Sequence, residues 1–400
     1  MYEINKDVVF VKGYRNGAIY DFNTGKVFSV NHTACKIIKS YIEGNNEKKD
    51  ETYLCQLRSN KLISDAVSPH TYNITFDRTI KLEMAWIEIT QRCNLKCLHC
   101  YEGNLHQSTQ NPLSTEEWKN KIDQLVELGI NRLIIIGGEP CCYHEVREII
   151  TYAAQYPIDV TLFTNATLLD DNLLFCIIDN KISVKVSVYG HCAEIHDTVT
   201  GIPGSFEKMT KSVKSLIENG IKVSSSVIIM KENEKYIDEI ISFVKKIGMK
   251  YSRFDVIREV FTGTQNLHIP TDKNIISKVC LQKPDFSADK NRFMQNAIKN
   301  TCWYGKIAIM ENGDVIPCEF ERNIKYGNVR VNTLKEIINN NKTKSKWFLS
   351  FDQIDGCKDC EYRFACKDCR PMGISVCGDI HSKNPRCLYD VYKGKWKNIN

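Results

Sequence analysis

The chain has 400 residues, 42% of them hydrophobic and 26% charged, and a formal net charge of +6. That length exceeds what one ordinary core organises, so about two or three domains are expected. The mild positive charge fits a solvated surface, and without a dense Lys/Arg run interleaved with aromatics no nucleic-acid partner is expected.

No run of about 18 apolar residues predicts a membrane span. The opening MYEINKDVVFVKGY lacks the basic, apolar and small-residue succession of a secretory signal, so a cytoplasmic protein is expected. In that reducing setting the 18 cysteines read as metal or redox groups rather than disulfides.

Residues 1–70 read as a small α+β module. DVVFVKGY, GAIYDF and KVFSV are strand-like, with turns at RNG and NTG. Asn31 is placed to cap a helix over HTACKIIKSYIEG, whose Ala34, Ile37, Ile38 and Ile42 make an apolar stripe ended by Gly44. A second helix is expected over about 47–60, presenting Tyr53, Leu54 and Leu57, and SPHTYN at 68–73 reads as a linker.

Over residues 83–262 the rhythm becomes alternating strand and helix. Strands are predicted at MAWIEIT, RLIIIGG, DVTLFTN, SVKVSVYG, KVSSSVIIM and YSRFDVI. The intervening helices are STEEWKNKIDQLVELG, HEVREIITYAAQY, LLDDNLLFCIID, GSFEKMTKSVKSLIENG and NEKYIDEIISFVKKIG. Ser114 with Glu117 spells a capping box, and Gly129, Gly220 and Gly248 close their helices. Six βα units imply a parallel sheet, curled into a barrel or lying open, with ligands at the carboxyl ends of the strands in either case. Those ends carry CNLKCLHC, GGEP, TNAT and SVYG.

Thiolate sulfur is the soft ligand that holds iron–sulfur clusters, and four cysteines ordinarily satisfy a four-iron cube. Cys93, Cys97 and Cys100 supply three, which leaves one iron open to a substrate. On a helix the same spacing would be one face of a core, but Leu95 and Leu98 would then lie off that face. A zinc site of three thiolates helped by His99 is the other reading.

Residues 263–400 show weaker periodicity and eight cysteines from Cys302 to Cys387. A region organised by metal rather than by a large core is expected. CKDCEYRFACKDC also has zinc-ribbon spacing, although its two knuckles stand close for that.

C-x3-C-x2-C on the first βα loop, followed in order by GGEP, TNAT, SVYG and IHDTVTGIPGSF, resembles the radical S-adenosylmethionine (SAM) enzymes over residues 84 to 256. The resemblance implies an α/β fold with a partial (β/α)6 barrel. It also implies a [4Fe-4S] cluster on Cys93, Cys97 and Cys100 whose open iron is chelated by SAM, and a 5′-deoxyadenosyl radical that abstracts hydrogen. Gly137, Gly138 and Glu139 would meet the methionyl amine, Ser187 the ribose or carboxylate end, and Asn165 and His99 the same pocket, His99 near the adenine. Two departures stand out: Tyr189 replaces an aspartate in SVYG, and Thr200 replaces an arginine in HDTVTG.

The C-terminal cysteines resemble the SPASM extension of peptide-modifying members, which implies two auxiliary [4Fe-4S] clusters. By that resemblance Cys357, Cys360, Cys366 and Cys387 complete one. Cys302, Cys318 and Cys369 are left for the other, with Cys280 or Cys377 as a possible fourth ligand.

FSVNHTACKIIKSYIEG resembles the winged-helix-like element that captures leader peptides of ribosomally made natural products, where the leader adds as a strand to a sheet edge, here KVFSV. Together these resemblances imply a peptide maturase that forms a cross-link (thioether, C–C or C–O), takes a precursor peptide as partner and draws electrons from flavodoxin or ferredoxin. The alternatives are a formylglycine-forming sulfatase maturase, for which Glu319 beside Cys318 would be the catalytic base, and a peptide-binding carrier without turnover.

Overall fold

The computed structural model describes residues 2–42, 50–65, 78–101, 103, 109–251, 254–258, 260, 267–277 and 281–397. Its first strands are β1 (Tyr2–Ile4), β2 (Val8–Lys12), β3 (Gly17–Asp21) and β4 (Lys26–Val30). They are followed by α1 (His32–Ile42), α2 (Glu51–Ser59) and β5 (Ile63–Asp65). β2, β3 and β4 form an antiparallel meander with Ile19 between Phe10 and Phe28, and β1 pairs with β5. The β1–β5 pair escapes the sequence reading because three residues are too few to show a period.

Asn31 caps α1 by accepting from the Ala34 N–H at 2.9 Å, and Asp50 caps α2 through the Tyr53 N–H. Gly44, residues 47–49 and the 68–73 linker lie outside the described residues.

The meander is buried on both faces. One face packs Val8, Ile19 and Val30 on Cys35, Ile38, Leu54 and Leu57. The other packs Val11, Ala18 and Tyr20 on Phe293, Tyr362, Phe364, Tyr389 and Val391.

From Met84 the βα rhythm is realised. The elements are β6 (Met84–Glu88), α3 (Thr115–Glu127), β7 (Arg132–Ile136), α4 (Val146–Ala153), β8 (Asp159–Thr164), α5 (Asp171–Asp179) and β9 (Ser183–Val188). After them come α6 (Ala193–Thr200), α7 (Ser205–Glu218), β10 (Val223–Ile229), α8 (Ile237–Lys246), β11 (Asp255–Val256) and α9 (Lys273–Ile275). The Ser114–Glu117 capping box forms, and Gly129, Gly220 and Gly248 take φ of +80°, +78° and +91°.

The sheet runs β11-β10-β9-β8-β7-β6, all parallel and in chain order without reversal. That is the winding of a barrel, open at β11, and not of a doubly wound sheet. Val184, Val186 and Val188 are fully buried, while Ser183, Lys185 and Ser187 line the opposite, half-buried face.

The remaining elements are α10 (Lys290–Ile298), β12 (Lys306–Ile309), β13 (Asp314–Ile316), β14 (Gly327–Asn328), α11 (Leu334–Asn339), α12 (Asn341–Trp347), α13 (Arg370–Cys377), β15 (Tyr389–Asp390) and β16 (Lys395–Trp396). β12 adds parallel to β6 and continues the barrel sheet through β13 and β14. The chain condenses into two compact units that cut across the sequence blocks. One joins Met1–Thr79 with Leu281–Tyr304 and Ser345–Asn400; the other joins Ile80–Cys280 with Gly305–Lys344.

The expectation of little core among the C-terminal cysteines is corrected. Trp303, Trp347 and Arg370 are among the largest fully buried side chains, and Leu334, Ile337 and Ile338 bury α11. Trp303, Trp347 and Arg370 are isolated in sequence, so no period betrays them, whereas Leu334, Ile337 and Ile338 have the i, i+3, i+4 spacing of a short capped helix.

Helix α6 was not predicted, because its eight residues are few and half of its buried stripe of Ile195, His196, Val199 and Thr200 is polar. Within it Asp197 caps the next helix, accepting from the Gly204 N–H at 2.6 Å, the Ser205 hydroxyl at 2.7 Å and the Phe206 N–H at 2.8 Å. Asp197→Ala therefore takes the acceptor from the Gly204 and Phe206 N–H groups and leaves the Ser205 hydroxyl only Thr200. It should cost about 1–2 kcal/mol, read as a lower urea midpoint, with Asp197→Asn intermediate; an unchanged midpoint would remove this role.

Candidate cofactor site

Cys93, Cys97 and Cys100 follow β6 on irregular backbone at the carboxyl end of the sheet, which rules out the core-helix reading. The loop is pinned by its backbone. The Lys96 N–H donates to the Thr200 carbonyl at 2.9 Å, Leu98 to Val199 at 3.0 Å and Cys100 to Cys97 at 3.1 Å. Gly201, at φ +69°, is required beside it, since a Cβ there would stand 2.9 Å from the Lys96 carbonyl. HDTVTG thus closes on the cysteine loop through backbone atoms. Thr200, the departure from the family arginine, is fully buried with its hydroxyl 2.7 Å from that of Ser205.

GGE braces the loop from the other side. The Gly138 N–H donates to Thr90 at 2.8 Å and that of Glu139 to Arg92 at 2.7 Å. A Cβ on Gly137 would lie 2.5 Å from the Thr90 carbonyl, and one on Gly138 2.5 Å from that of Gln91. The glycines are therefore a close-approach requirement.

Glu139 is buried, and burial raises its pKa against the bonds it accepts from Cys141, Asn165 and Thr164. Its Oε1 takes the Thr164 hydroxyl at 2.7 Å and the Cys141 N–H at 3.1 Å, and Oε2 takes the Asn165 N–H at 2.6 Å. The Cys141 thiol adds a fourth bond, so a ligand amine would have to share or displace one of these donors. Asn165 is more committed. Its amide donates to Asn94 at 2.9 Å and its oxygen accepts from Thr167, so it ties the cysteine loop to the end of β8. Asn94 and Thr164 complete this brace and were missed, because lone polar residues carry no spacing signal.

Tyr189, read from sequence only as a departure, is 6% exposed and packs edge-on against His99, ring centroids 4.6 Å apart. Its backbone is fixed by Asn233, whose amide donates to the Tyr189 carbonyl at 2.9 Å. Burial lowers the His99 pKa to about 4, with His268 nearby adding to the shift. The imidazole is therefore held neutral, and among the described residues its shielded Nδ1 has no partner. Ser187 stands on the inner face of β9. The Oε2 of Glu319 is likewise shielded and unpartnered; burial raises its pKa, while Arg258 and Arg322 oppose the rise.

Burial also decides the state of the thiols. It pushes Cys93 up to about 12 and Cys97 higher still, and neighbouring thiols add to both. Cys142 is pushed up to about 11, chiefly by burial and then by Glu139. Two desolvated thiols on one pinned loop, Cys93 and Cys97, become thiolates only against a strong positive charge, which suits an iron cluster.

In the other unit Cys357, Cys360, Cys366 and Cys387 line one pocket, walled by Pro284, Phe351, Tyr362, Tyr389, Val391 and Trp396. Burial pushes Cys360 and Cys366 up to about 12 and Cys357 well above the thiol range. The Gln282 amide donates to the Cys366 sulfur at 3.3 Å. Buried Arg370 pairs with Asp368 and holds the Ile380 and Ser382 carbonyls at 2.8 Å.

Among the described residues no three Cys, His, Asp or Glu side chains converge to hold a single ion. A cluster asks for a wider cage, one thiolate to each of several irons. Cys302 and Cys369 belong to the unit of the four-cysteine pocket and Cys318 to the barrel unit. Cys280 and the side chain of Cys377 lie outside the described residues.

Comparison with known proteins agrees with this geometry. Residues 87–244 match the radical SAM superfamily and residues 302–361 an iron-sulfur cluster-binding domain, SPASM. The chain is 26% identical over 346 residues to the AdoMet-dependent heme synthase of Oleidesulfovibrio alaskensis, covering 78% of this chain and 88% of that protein. It is 25% identical over 366 residues to the antilisterial bacteriocin subtilosin biosynthesis protein AlbA of Bacillus subtilis, covering 86% and 80%. Streptococcus suis SuiB, solved with its precursor peptide SuiA, superposes with TM-score 0.62 at 17% identity over 97% of this chain and 100% of SuiB.

The chain carries a radical SAM domain and, after it, a SPASM domain. It is an enzyme, and it binds a [4Fe-4S] cluster, SAM and further iron–sulfur in the SPASM domain.

Gly138→Ala should drive a methyl into the Gln91 and Arg92 carbonyls. Reconstituted protein should then lose about four irons and form no 5′-deoxyadenosine, whereas Cys142→Ser keeps both. Full iron content in Gly138→Ala would show that the brace is dispensable.

Proposed function

We propose that this enzyme modifies a ribosomally made precursor peptide by hydrogen abstraction, installing an intramolecular cross-link, either thioether or C–C/C–O. The observation that carries the reading is the N-terminal meander with α1 and α2, which resembles a leader-binding element and lies in a chain whose barrel houses the cysteine triplet. AlbA, named for bacteriocin biosynthesis, and SuiB, solved with its precursor peptide, support it. A leader would pair with β4 at its Phe28–Val30 end, since Phe286 and Ser287 already meet the strand at Val27 and Lys26. Tethering there would raise the local concentration of the core peptide.

In this reading Cys93, Cys97 and Cys100 hold the cluster that binds SAM. When bound, the pair supplies the 5′-deoxyadenosyl radical. Gly137, Gly138 and Glu139 receive the methionyl amine, and Ser187 and His99 line the nucleoside side. Asn165 with Asn94 fixes the loop. Cys357, Cys360, Cys366 and Cys387 hold one auxiliary cluster, and Cys302, Cys318 and Cys369 another. Glu319 is the candidate proton acceptor, its shielded Oε2 free for substrate. Electrons come from a cytoplasmic flavodoxin or ferredoxin.

The test is anaerobic incubation of reduced, iron-loaded protein with SAM and the peptide encoded by a short reading frame beside its gene. The expected product is lighter by two hydrogens per link, and Cys97→Ala should abolish both product and 5′-deoxyadenosine. Turnover of an iron porphyrin instead would favour the heme-synthase relatives and overturn the peptide reading.

A further inference from the structure

We infer that the N-terminal meander has a second function: it holds the ligand loop of the auxiliary cluster assigned above to Cys357, Cys360, Cys366 and Cys387. The stretch from Asp359 to Arg363, which flanks Cys360 on both sides, is gripped almost residue by residue. The Tyr14 N–H donates to the Asp359 carbonyl at 2.8 Å. The Tyr20 hydroxyl donates to the Glu361 carbonyl at 3.0 Å in a buried bond. The Tyr362 hydroxyl donates to Ser29 Oγ at 2.7 Å, and the Arg363 guanidinium donates to the Lys12 carbonyl at 3.3 Å. All three strands of the meander or their connecting turn take part.

The grip is tight as well as extensive. At Gly13 a Cβ would stand 2.5 Å from Glu361 Oε2, 2.9 Å from the Glu361 nitrogen and 3.0 Å from the Asp359 carbonyl. Two of those three atoms are backbone, so any side chain there must displace the loop. The carboxylate is itself held, since Tyr389, a wall of the pocket, donates to Glu361 Oε1.

The same face of the meander supplies Val11, Ala18 and Tyr20 to the core against which Cys360 and Cys387 pack. A leader-binding element needs only an exposed strand edge. Nothing in that role calls for four hydrogen bonds and a glycine approach on a cysteine loop. Ligand loops of clusters do need such support, because sulfur positions set whether irons are held.

This inference rests on the four-cysteine assignment, so the test separates the two. Full-length wild type, Gly13→Leu, Tyr20→Phe with Ser29→Ala, and Cys357→Ala with Cys360→Ala are reconstituted anaerobically with iron and sulfide. Total iron and the electron paramagnetic resonance spectrum after dithionite reduction are then read, with a thermal melt to confirm folding. The paired cysteine variant defines the signal lost when this cluster is missing.

Gly13→Leu should lose that same signal and about a third of its iron, four of about twelve. The Tyr20→Phe/Ser29→Ala protein should show a smaller loss or an altered signal, and 5′-deoxyadenosine formation should persist in both. Folded Gly13→Leu with wild-type iron and spectrum would overturn the inference and leave the assignment standing. If the paired cysteine variant itself matches wild type, the assignment fails and the inference with it.

Discussion

Buried sulfur without a counter-charge is the condition that governs this protein. Each cysteine of the barrel loop and of the C-terminal pocket for which a shift is resolved is moved away from thiolate, mainly by desolvation. Iron supplies the charge, and the fold then has to keep the sulfurs spaced while it does so. Much of the distinctive architecture serves that second need.

At the barrel the solution is backbone. Carbonyls of Thr90 and Arg92 accept from GGE, carbonyls of Val199 and Thr200 accept from the cysteine loop, and Gly137, Gly138 and Gly201 permit the approach. Side-chain identity matters less at such places, so Thr200 can stand where the family carries arginine. Tyr189 is a different case. Its ring fills the space beside His99, so an aromatic surface stands where the family carries an aspartate, next to the cysteine loop. At the C-terminal pocket the support comes from side chains and from the meander, through Tyr20, Ser29 and Lys12.

The βα rhythm was legible because its strands are apolar runs or alternate, as β8, β9 and β10 do, and its helices show a period. Each predicted strand and helix of that region contains an observed one, the sixth strand only at Asp255–Val256. Less legible were the elements whose stability is borrowed. The β1–β5 pair, α6 and β12 are short, and each is held by partners distant in sequence. The meander's strands were legible, but not that Val11 and Tyr20 are buried against Phe293, Tyr362 and Tyr389 far along the chain.

By itself the sequence determined which atoms could do chemistry: three thiols on eight residues at the end of a strand, and the glycines that allow close approach. Ligand type and local spacing are properties of a few consecutive residues, so they survive without a fold. Only the tertiary structure decided how those atoms are supported. It committed Asn165 to Asn94, drew Tyr189 over His99, and set the N-terminal meander against the C-terminal cysteines. Those outcomes depend on burial and on long-range hydrogen bonds, which no short window of residues encodes.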